Sequence, residues 1–203
     1  MLIHALFSAL VNVVFLVVLP LAVYYGYHRW RHHRRFAEVA RRAGLQMGDP
    51  RFIGYAAIGA AVVIIALLVF PPSLESSTAK GSGFAPFAGL GLGMPALVMA
   101  LLYGVVKTGF AEEFLFRGLI AGSLGRRLPL IWANVLQALV FLLPHALVLL
   151  IMPSMWVVLP VVFAGALFAG WLRIRSESIL GPWLLHASAN VTVALSVAAR
   201  SIA

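Results

Sequence analysis

The chain contains no cysteine and only one aspartate, Asp49, among its 203 residues. Without cysteine it can form neither a disulfide nor a thiolate metal site, and a thiol nucleophile is excluded. Charged residues make up 10% of the sequence, whereas about 25% is usual in soluble domains. Hydrophobic residues make up 63%. These counts predict a multi-pass membrane protein with little mass outside the bilayer.

Six apolar runs of about 20 residues, uncharged apart from Lys107 in the third, are each long enough to cross a bilayer as a helix. Pro153 and Ser154 supply the turn that divides the fourth run from the fifth. The predicted fold class is therefore all-α, a polytopic membrane helical bundle of about six transmembrane helices. The predicted spans are 3–25, 52–70, 88–111, 129–151, 155–172 and 179–199.

The basic residues predict the orientation of these spans. The net charge is +9, and seven arginines lie in the loop 28–51. With six spans, Arg126, Arg127, Arg173 and Arg175 fall on the same side as that loop. The positive-inside rule then places both termini on the non-cytoplasmic side, and we expect the bacterial cytoplasmic (inner) membrane. Orientation accounts for the charge without a nucleic-acid partner, and the loop is also a candidate for binding anionic lipid.

Charged side chains interrupt the third apolar segment, where they are unexpected. Lys107, Glu112, Glu113 and Arg117 lie in it or just beyond it. Each charge at the bilayer centre costs about 2.5–3.5 kcal/mol, so these groups should face protein or a wet cavity. Glu113 and Arg117 are four residues apart in the favourable order for a helical ion pair. Glu112 has no such partner and is a candidate general base, although a purely structural clamp between helices would also explain the group.

Three further polar residues lie in later spans at a similar depth. His145 follows Pro144 in the fourth span, and His186 and Asn190 share one face of the sixth, four residues apart. The depth of each along its helix allows His145 and His186 to meet Glu112. We therefore expect a polar cluster built from three helices.

The three segments resemble the motifs of a known family. The sequence from Glu112 to Arg117 resembles the EExxxR motif of the CAAX protease and bacteriocin-processing (CPBP, or Abi) family. Phe141 to His145 looks like its FxxxH motif, and His186 to Asn190 looks like its HxxxN/D motif. All three occur in order, in separate spans, and the similarity covers residues 95–195.

The resemblance implies an intramembrane endopeptidase similar to the type II CAAX prenyl endopeptidases. Its partners would be the bilayer and a membrane-associated protein or peptide substrate. It also implies one membrane domain, in which 1–87 holds two N-terminal helices with a basic cytoplasmic loop at 28–51, and 88–203 forms the catalytic core. The implied site residues are Glu112, Glu113, Arg117, His145, His186 and Asn190.

The resemblance also implies a role for each of these residues. Glu112 would activate water with help from His145, while His186 and Asn190 would stabilise the oxyanion of the tetrahedral intermediate. The second glutamate and the arginine of the first motif would hold this arrangement in place. No cofactor is required, but zinc bound by Glu112, His145 and His186 stays open, because the family is often described as metalloproteases and this donor set suits zinc.

Other chemistries and functions are less consistent with the sequence. An aspartyl protease needs two intramembrane aspartates, a zincin needs H-E-x-x-H, and neither is present. Ser188 lies on a different helical face from its neighbour His186, which disfavours a serine protease. Two non-proteolytic functions remain as alternatives: a bacteriocin-immunity or partner-binding protein that uses the same polar cluster, and a proton-coupled transporter, which the lack of visible repeats disfavours.

Overall fold

A computed structural model describes residues 1–150 and 152–201. Within these residues the regular structure is helical and includes no strand, which confirms the predicted all-α bundle. Short 3-10 helices occur at Ala85–Phe87 and Pro153–Val158. The principal helices, labelled α1 to α8, are Leu2–His32, Phe36–Arg42, Pro50–Val69, Leu74–Thr78, Met94–Gly125, Leu130–Val148, Leu159–Ser176 and Leu180–Arg200.

Within the described residues, five helical segments are long and apolar enough to cross a membrane. They are α1, α3, α5, α6 and the segment Trp156–Ser176, which contains α7. The sixth predicted span coincides with α8, which has 21 residues and is long enough to cross. It is not one of the five, because polar side chains that include His186 and Asn190 lower its apolar character.

Several helix ends differ from the predicted spans. α5 begins at Met94 and continues to Gly125, well past the predicted end at residue 111, because Glu113 and Arg117 form an ion pair inside the protein. α1 continues to His32 rather than residue 25. The predicted end of the fourth span at Ile151 and the last two residues, 202–203, lie outside the described residues. The orientation of the termini and the division at residues 87 and 88 stay predictions.

The basic loop contains α2 and ends at the start of α3. Asp49 caps α3 by accepting the backbone N–H of Arg51 at 3.0 Å. The side-chain hydrogen bonds from Arg51 lower the pKa of the Asp49 carboxyl. The single aspartate therefore begins a transmembrane helix, outside the polar cluster.

The long helix α5 contains two π-helical stretches, Leu102–Phe110 and Phe114–Ala121. Between them Ala111–Glu113 is α-helical. A π-helix has i→i+5 hydrogen bonds and a wider turn than an α-helix, and such turns are frequent at functional sites. The two glutamates of the first motif therefore lie where the helix changes its geometry.

Helix α8 packs along α3 and α5. Its close approach to α5 depends on Gly104, where a Cβ would lie 2.7 Å from Cγ2 of Val191. Because α8 carries the third motif and α5 the first, this contact brings the two motifs together.

A polar clamp joins α6 to α7. Gln137 is fully buried, and its Nε2 donates to the carbonyl of Ala166 at 2.8 Å and to Oδ1 of Asn134 at 2.9 Å. Asn134 in turn donates to the carbonyl of Leu167 at 2.9 Å. The clamp fixes the helix that carries His145 against its neighbour.

Substituting Gly170 by alanine should loosen this clamp. A Cβ at Gly170 would overlap both Gln137 Nε2 and Asn134 Oδ1, and we expect Gly170→Ala to lower the free energy of unfolding by about 1–3 kcal/mol. Gly165→Ala on the same helix is the control, because its Cβ would meet no atom within 4 Å. Thermal unfolding in detergent, followed by circular dichroism, compares the two. Equal transition temperatures would contradict the clamp.

Candidate active site

The first motif forms the predicted ion pair inside the bundle. Nη1 of Arg117 lies 3.0 Å from Oε1 of Glu113, and the two side chains are only 2% and 1% exposed. The same oxygen lies 2.8 Å from Nδ1 of His186 on α8. Within the described residues, the other carboxylate oxygen, Oε2, is buried without a hydrogen-bond partner. One oxygen of Glu113 therefore connects the first and third motifs.

The contact with Glu113 determines which ring atom of His186 stays available. A carboxylate oxygen accepts hydrogen bonds, so Nδ1 of His186 is the donor and Nε2 is left for a ligand. With a neutral imidazole, Glu112, Glu113 and Arg117 sum to one negative charge. An imidazolium would bring the four groups to neutrality and would make Nε2 a donor.

Phe141 of the second motif supports the arginine. The guanidinium carbon of Arg117 lies 3.9 Å from the centre of the Phe141 ring, a cation–π contact. The same ring lies edge-on to His186, with 6.1 Å between ring centres. The resemblance identified Phe141 as part of a motif but implied no role for it. The structure places it between groups of the other two motifs.

His145 is oriented by its own helix. Its Nδ1 lies 2.9 Å from the carbonyl oxygen of Phe141, one turn earlier. Since a carbonyl oxygen only accepts, Nδ1 carries the proton, and a neutral His145 presents the lone pair of Nε2. The side chain is half-buried and can therefore accept a proton or orient a water molecule.

Asn190 is positioned by a residue that the sequence analysis missed. Its Nδ2 donates to Oγ1 of Thr108 at 2.8 Å, and the Thr108 hydroxyl donates to the carbonyl of Tyr103 at 2.9 Å. Because the threonine proton is used, Oγ1 can only accept, and the NH₂ of Asn190 must face it. The second Nδ2–H of Asn190 has no role in this contact and can donate to another group. A hydroxyl four residues before Glu112 in an apolar run was the signal for Thr108.

Glu112 differs from its neighbour Glu113. It is half-buried, and its side chain makes no hydrogen bond or salt bridge with the residues that the structure describes. His186 and His145 lie within electrostatic range of its carboxylate. Glu112 is therefore close to both histidines and is not committed to an ion pair.

Lys107 lies apart from the Glu113 ion pair. Its ammonium nitrogen is 5.5 Å from the centre of the Tyr103 ring, while its backbone carbonyl accepts from Asn12 of α1 at 3.3 Å. These contacts stabilise a half-buried lysine through an aromatic face and join α1 to α5.

The zinc site that the sequence suggested at Glu112, His145 and His186 stays a prediction. Among residues 1–150 and 152–201, no three His, Asp or Glu side chains lie close enough together to hold a metal ion. His186 uses one ring nitrogen to bind Glu113.

Comparison with known proteins identifies the family. The family model described as type II CAAX prenyl endopeptidase Rce1-like matches residues 93–192, a region that contains all six predicted site residues. No curated protein and no solved structure matches the chain. The match agrees with the motif resemblance and with the membrane helices. Residues 93–192 therefore form a domain of the Rce1-like type II CAAX prenyl endopeptidases, a family of membrane peptidases.

Proposed function

We propose that the chain hydrolyses a peptide bond of a membrane-associated protein or peptide, using a water molecule activated by Glu112. One observation carries this proposal: Glu113 is committed to Arg117 and His186, whereas the adjacent Glu112 is not. Two neighbouring carboxylates with different surroundings are suited to different roles. Glu113 is then a positioning residue and Glu112 the base.

The first step forms the tetrahedral intermediate. Glu112 removes a proton from water while Nε2 of His145 orients the molecule, and the water oxygen bonds to the carbonyl carbon of the substrate. The π electrons of the carbonyl move onto its oxygen. A well-placed general base contributes about 10²- to 10⁴-fold in rate.

The oxyanion is stabilised by groups from α8. Nε2–H of a protonated His186 and the second Nδ2–H of Asn190 are suitable donors. Each such donor is worth about 10²- to 10³-fold in kcat. When the intermediate collapses, the C–N bond breaks and the proton held by Glu112 passes to the leaving amine.

Glu113, Arg117 and Phe141 would keep these donors in place. Arg117 neutralises Glu113 and rests on Phe141, and Glu113 fixes the ring of His186 through Nδ1. A catalytic group has to be held within a fraction of an ångström to be effective. These residues therefore act through His186.

Thr108 should contribute to turnover through Asn190. We expect Thr108→Val to lower kcat about tenfold with little change in KM, because the unsupported amide no longer points a donor at the oxyanion. Thr108→Ser keeps the hydroxyl and should retain most of the activity. Steady-state kinetics of the two variants test this expectation. Equal loss in both would mean that packing, rather than the hydroxyl, is what matters at this position.

Cleavage by the purified protein tests the proposed function directly. The full chain, reconstituted in liposomes, would be offered peptides that end in a CAAX sequence, with and without a prenyl group on the cysteine. We expect product release in at least one case, and equal turnover after treatment with a metal chelator, since the proposed steps use only side chains of this chain. Loss of activity on chelation, restored by zinc, would contradict the glutamate mechanism. Binding of a partner without cleavage would instead favour the partner-binding alternative.

A further inference from the structure

A second polar site lies at one end of the bundle, away from the contacts of Glu113 with Arg117 and His186. Here α2 folds against the last turns of α5 and α7 around a cavity of about 380 Å³. This end is the one that the positive-inside rule predicts to be cytoplasmic. We call it the arginine pocket, after the arginines in its lining: Arg34, Arg41, Arg42, Arg126 and Arg173.

Arg173 is the deepest of these residues. It is only 3% exposed, and its Nη2 donates to the carbonyl of Arg42 at 2.9 Å. Its Nε is buried without a hydrogen-bond partner among the described residues. A Cβ at Gly122, which also lines the pocket, would lie 2.6 Å from Nη2. The glycine therefore leaves room for a buried guanidinium that still has an unused donor.

Arg126 converges on the same acceptor. Its Nη1 donates to the carbonyl of Arg42 at 3.1 Å, so the two guanidinium groups lie within about 6 Å of each other and repel. Glu38 and Glu177 also line the pocket, but neither forms a salt bridge with these arginines. The described residues therefore leave the paired guanidinium groups without a bound carboxylate.

An apolar groove adjoins the arginine pocket at membrane depth. It has a volume of about 600 Å³ and follows one face of α1 beside α5. Tyr24 lines the groove, and its hydroxyl accepts from Nη2 of Arg126 at 2.8 Å. The residues of the groove are Phe15, Leu19, Pro20, Val23, Tyr24, Tyr27 and Leu119. An apolar chain in the groove would therefore end beside the guanidinium groups.

We propose that the arginine pocket binds the phosphate group of an anionic phospholipid, with an acyl chain of that lipid in the adjoining groove. Guanidinium groups bind phosphate oxygens in paired hydrogen bonds. Basic pockets between transmembrane helices on the cytoplasmic side bind anionic lipid headgroups. The apolar groove favours a lipid over soluble phosphate, because soluble phosphate would use only the polar half of the site.

Lipid retention by the delipidated full chain tests this proposal. The purified protein in neutral detergent would be titrated with dioleoylphosphatidylglycerol, with dioleoylphosphatidylcholine, or with inorganic phosphate, and bound lipid measured by native mass spectrometry. We expect phosphatidylglycerol to bind about tenfold more tightly than phosphatidylcholine. Equal retention of the two lipids would overturn the proposal. If inorganic phosphate displaced phosphatidylglycerol when both were present at the same molar concentration, the site would be one for soluble phosphate. The lipid assignment would then be wrong.

Two variants localise the binding. Arg126→Gln should weaken phosphatidylglycerol binding about tenfold, whereas Arg127→Gln, which removes the same charge one residue outside the pocket, should change it less than about twofold. Arg126 is on the surface, so the variant is expected to fold, and gel filtration with circular dichroism checks this. Equal effects of the two substitutions would show a general charge effect and overturn the defined site. The outcome does not depend on peptidase activity.

Discussion

Replacing Glu112 by glutamine is expected to reduce kcat by about 10²- to 10⁴-fold, the usual contribution of a general base. Glutamine has nearly the shape of glutamate but cannot take up a proton at neutral pH. Because Glu112 makes no ion pair with a described residue, the substitution should leave the protein folded and KM nearly unchanged. The measurement is single-turnover cleavage in liposomes, with circular dichroism as the folding check.

A carboxylate outside the bundle centre provides the control. Glu75 is an exposed acidic residue in the first turn of α4, and Glu75→Gln should retain wild-type turnover. If Glu112→Gln cleaved at the wild-type rate while folded, the proposed base would be wrong. If the variant lost both its activity and its helical signal, Glu112 would be structural. That result would favour the alternative in which the charged residues of the third span only hold helices together.

The second large effect concerns stability. We expect Arg117→Leu to reduce the free energy of unfolding by about 3–5 kcal/mol, the usual cost of removing one partner of a buried ion pair. The loss arises because Glu113, which is 1% exposed, would keep its charge without its guanidinium partner. The cation–π contact with Phe141 would also be lost. Unfolding in detergent by heat or denaturant measures the change.

A double substitution separates charge from packing. In Glu113→Gln/Arg117→Leu the buried charge is absent, so this protein should be more stable than Arg117→Leu alone, with a coupling free energy of at least about 1 kcal/mol. Arg127→Leu, at an exposed site just after the end of α5, should change stability by less than about 0.5 kcal/mol. Purely additive effects of the two substitutions would show that the ion pair does not stabilise the protein.

The features that could be predicted from the sequence are those that depend on composition and local spacing. Long uncharged runs predicted the membrane helices, and the four-residue interval between Glu113 and Arg117 predicted their contact. The bundle was predictable because polar side chains inside α5 and α8 are too costly to expose to lipid. All of these follow from hydropathy and helix periodicity.

What could not be predicted depends on contacts between distant segments. The sequence predicted that His186 lies near Glu112, but it did not show that His186 hydrogen-bonds to Glu113. The reason is that π-helical stretches on both sides of the glutamates change the number of residues per turn, so a regular α-helical projection misplaces the side chains. Thr108 was missed because its role depends on a hydrogen bond to Asn190, which lies 82 residues away.

The arginine pocket also combines a feature that the sequence predicted with one that it could not. The density of basic residues in the loop 28–51 indicated an interaction with anionic lipid, but the sequence could not show that Arg126 and Arg173 donate to one carbonyl of that loop. The basic residues in the sequence indicate a preference for anionic lipid, whereas the pocket itself depends on how the folded backbone brings these residues together.

The modest apolar character of α8 has a consequence for biogenesis. Of the helices in the described chain, α8 is synthesised last, and its polar side chains make independent insertion into lipid less favourable than for the more apolar helices. It should therefore enter the membrane against α3 and α5 that are already in place. Since α8 carries His186 and Asn190, a nascent chain without α8 lacks the third motif. The protein would therefore be inactive as a peptidase until α8 has inserted.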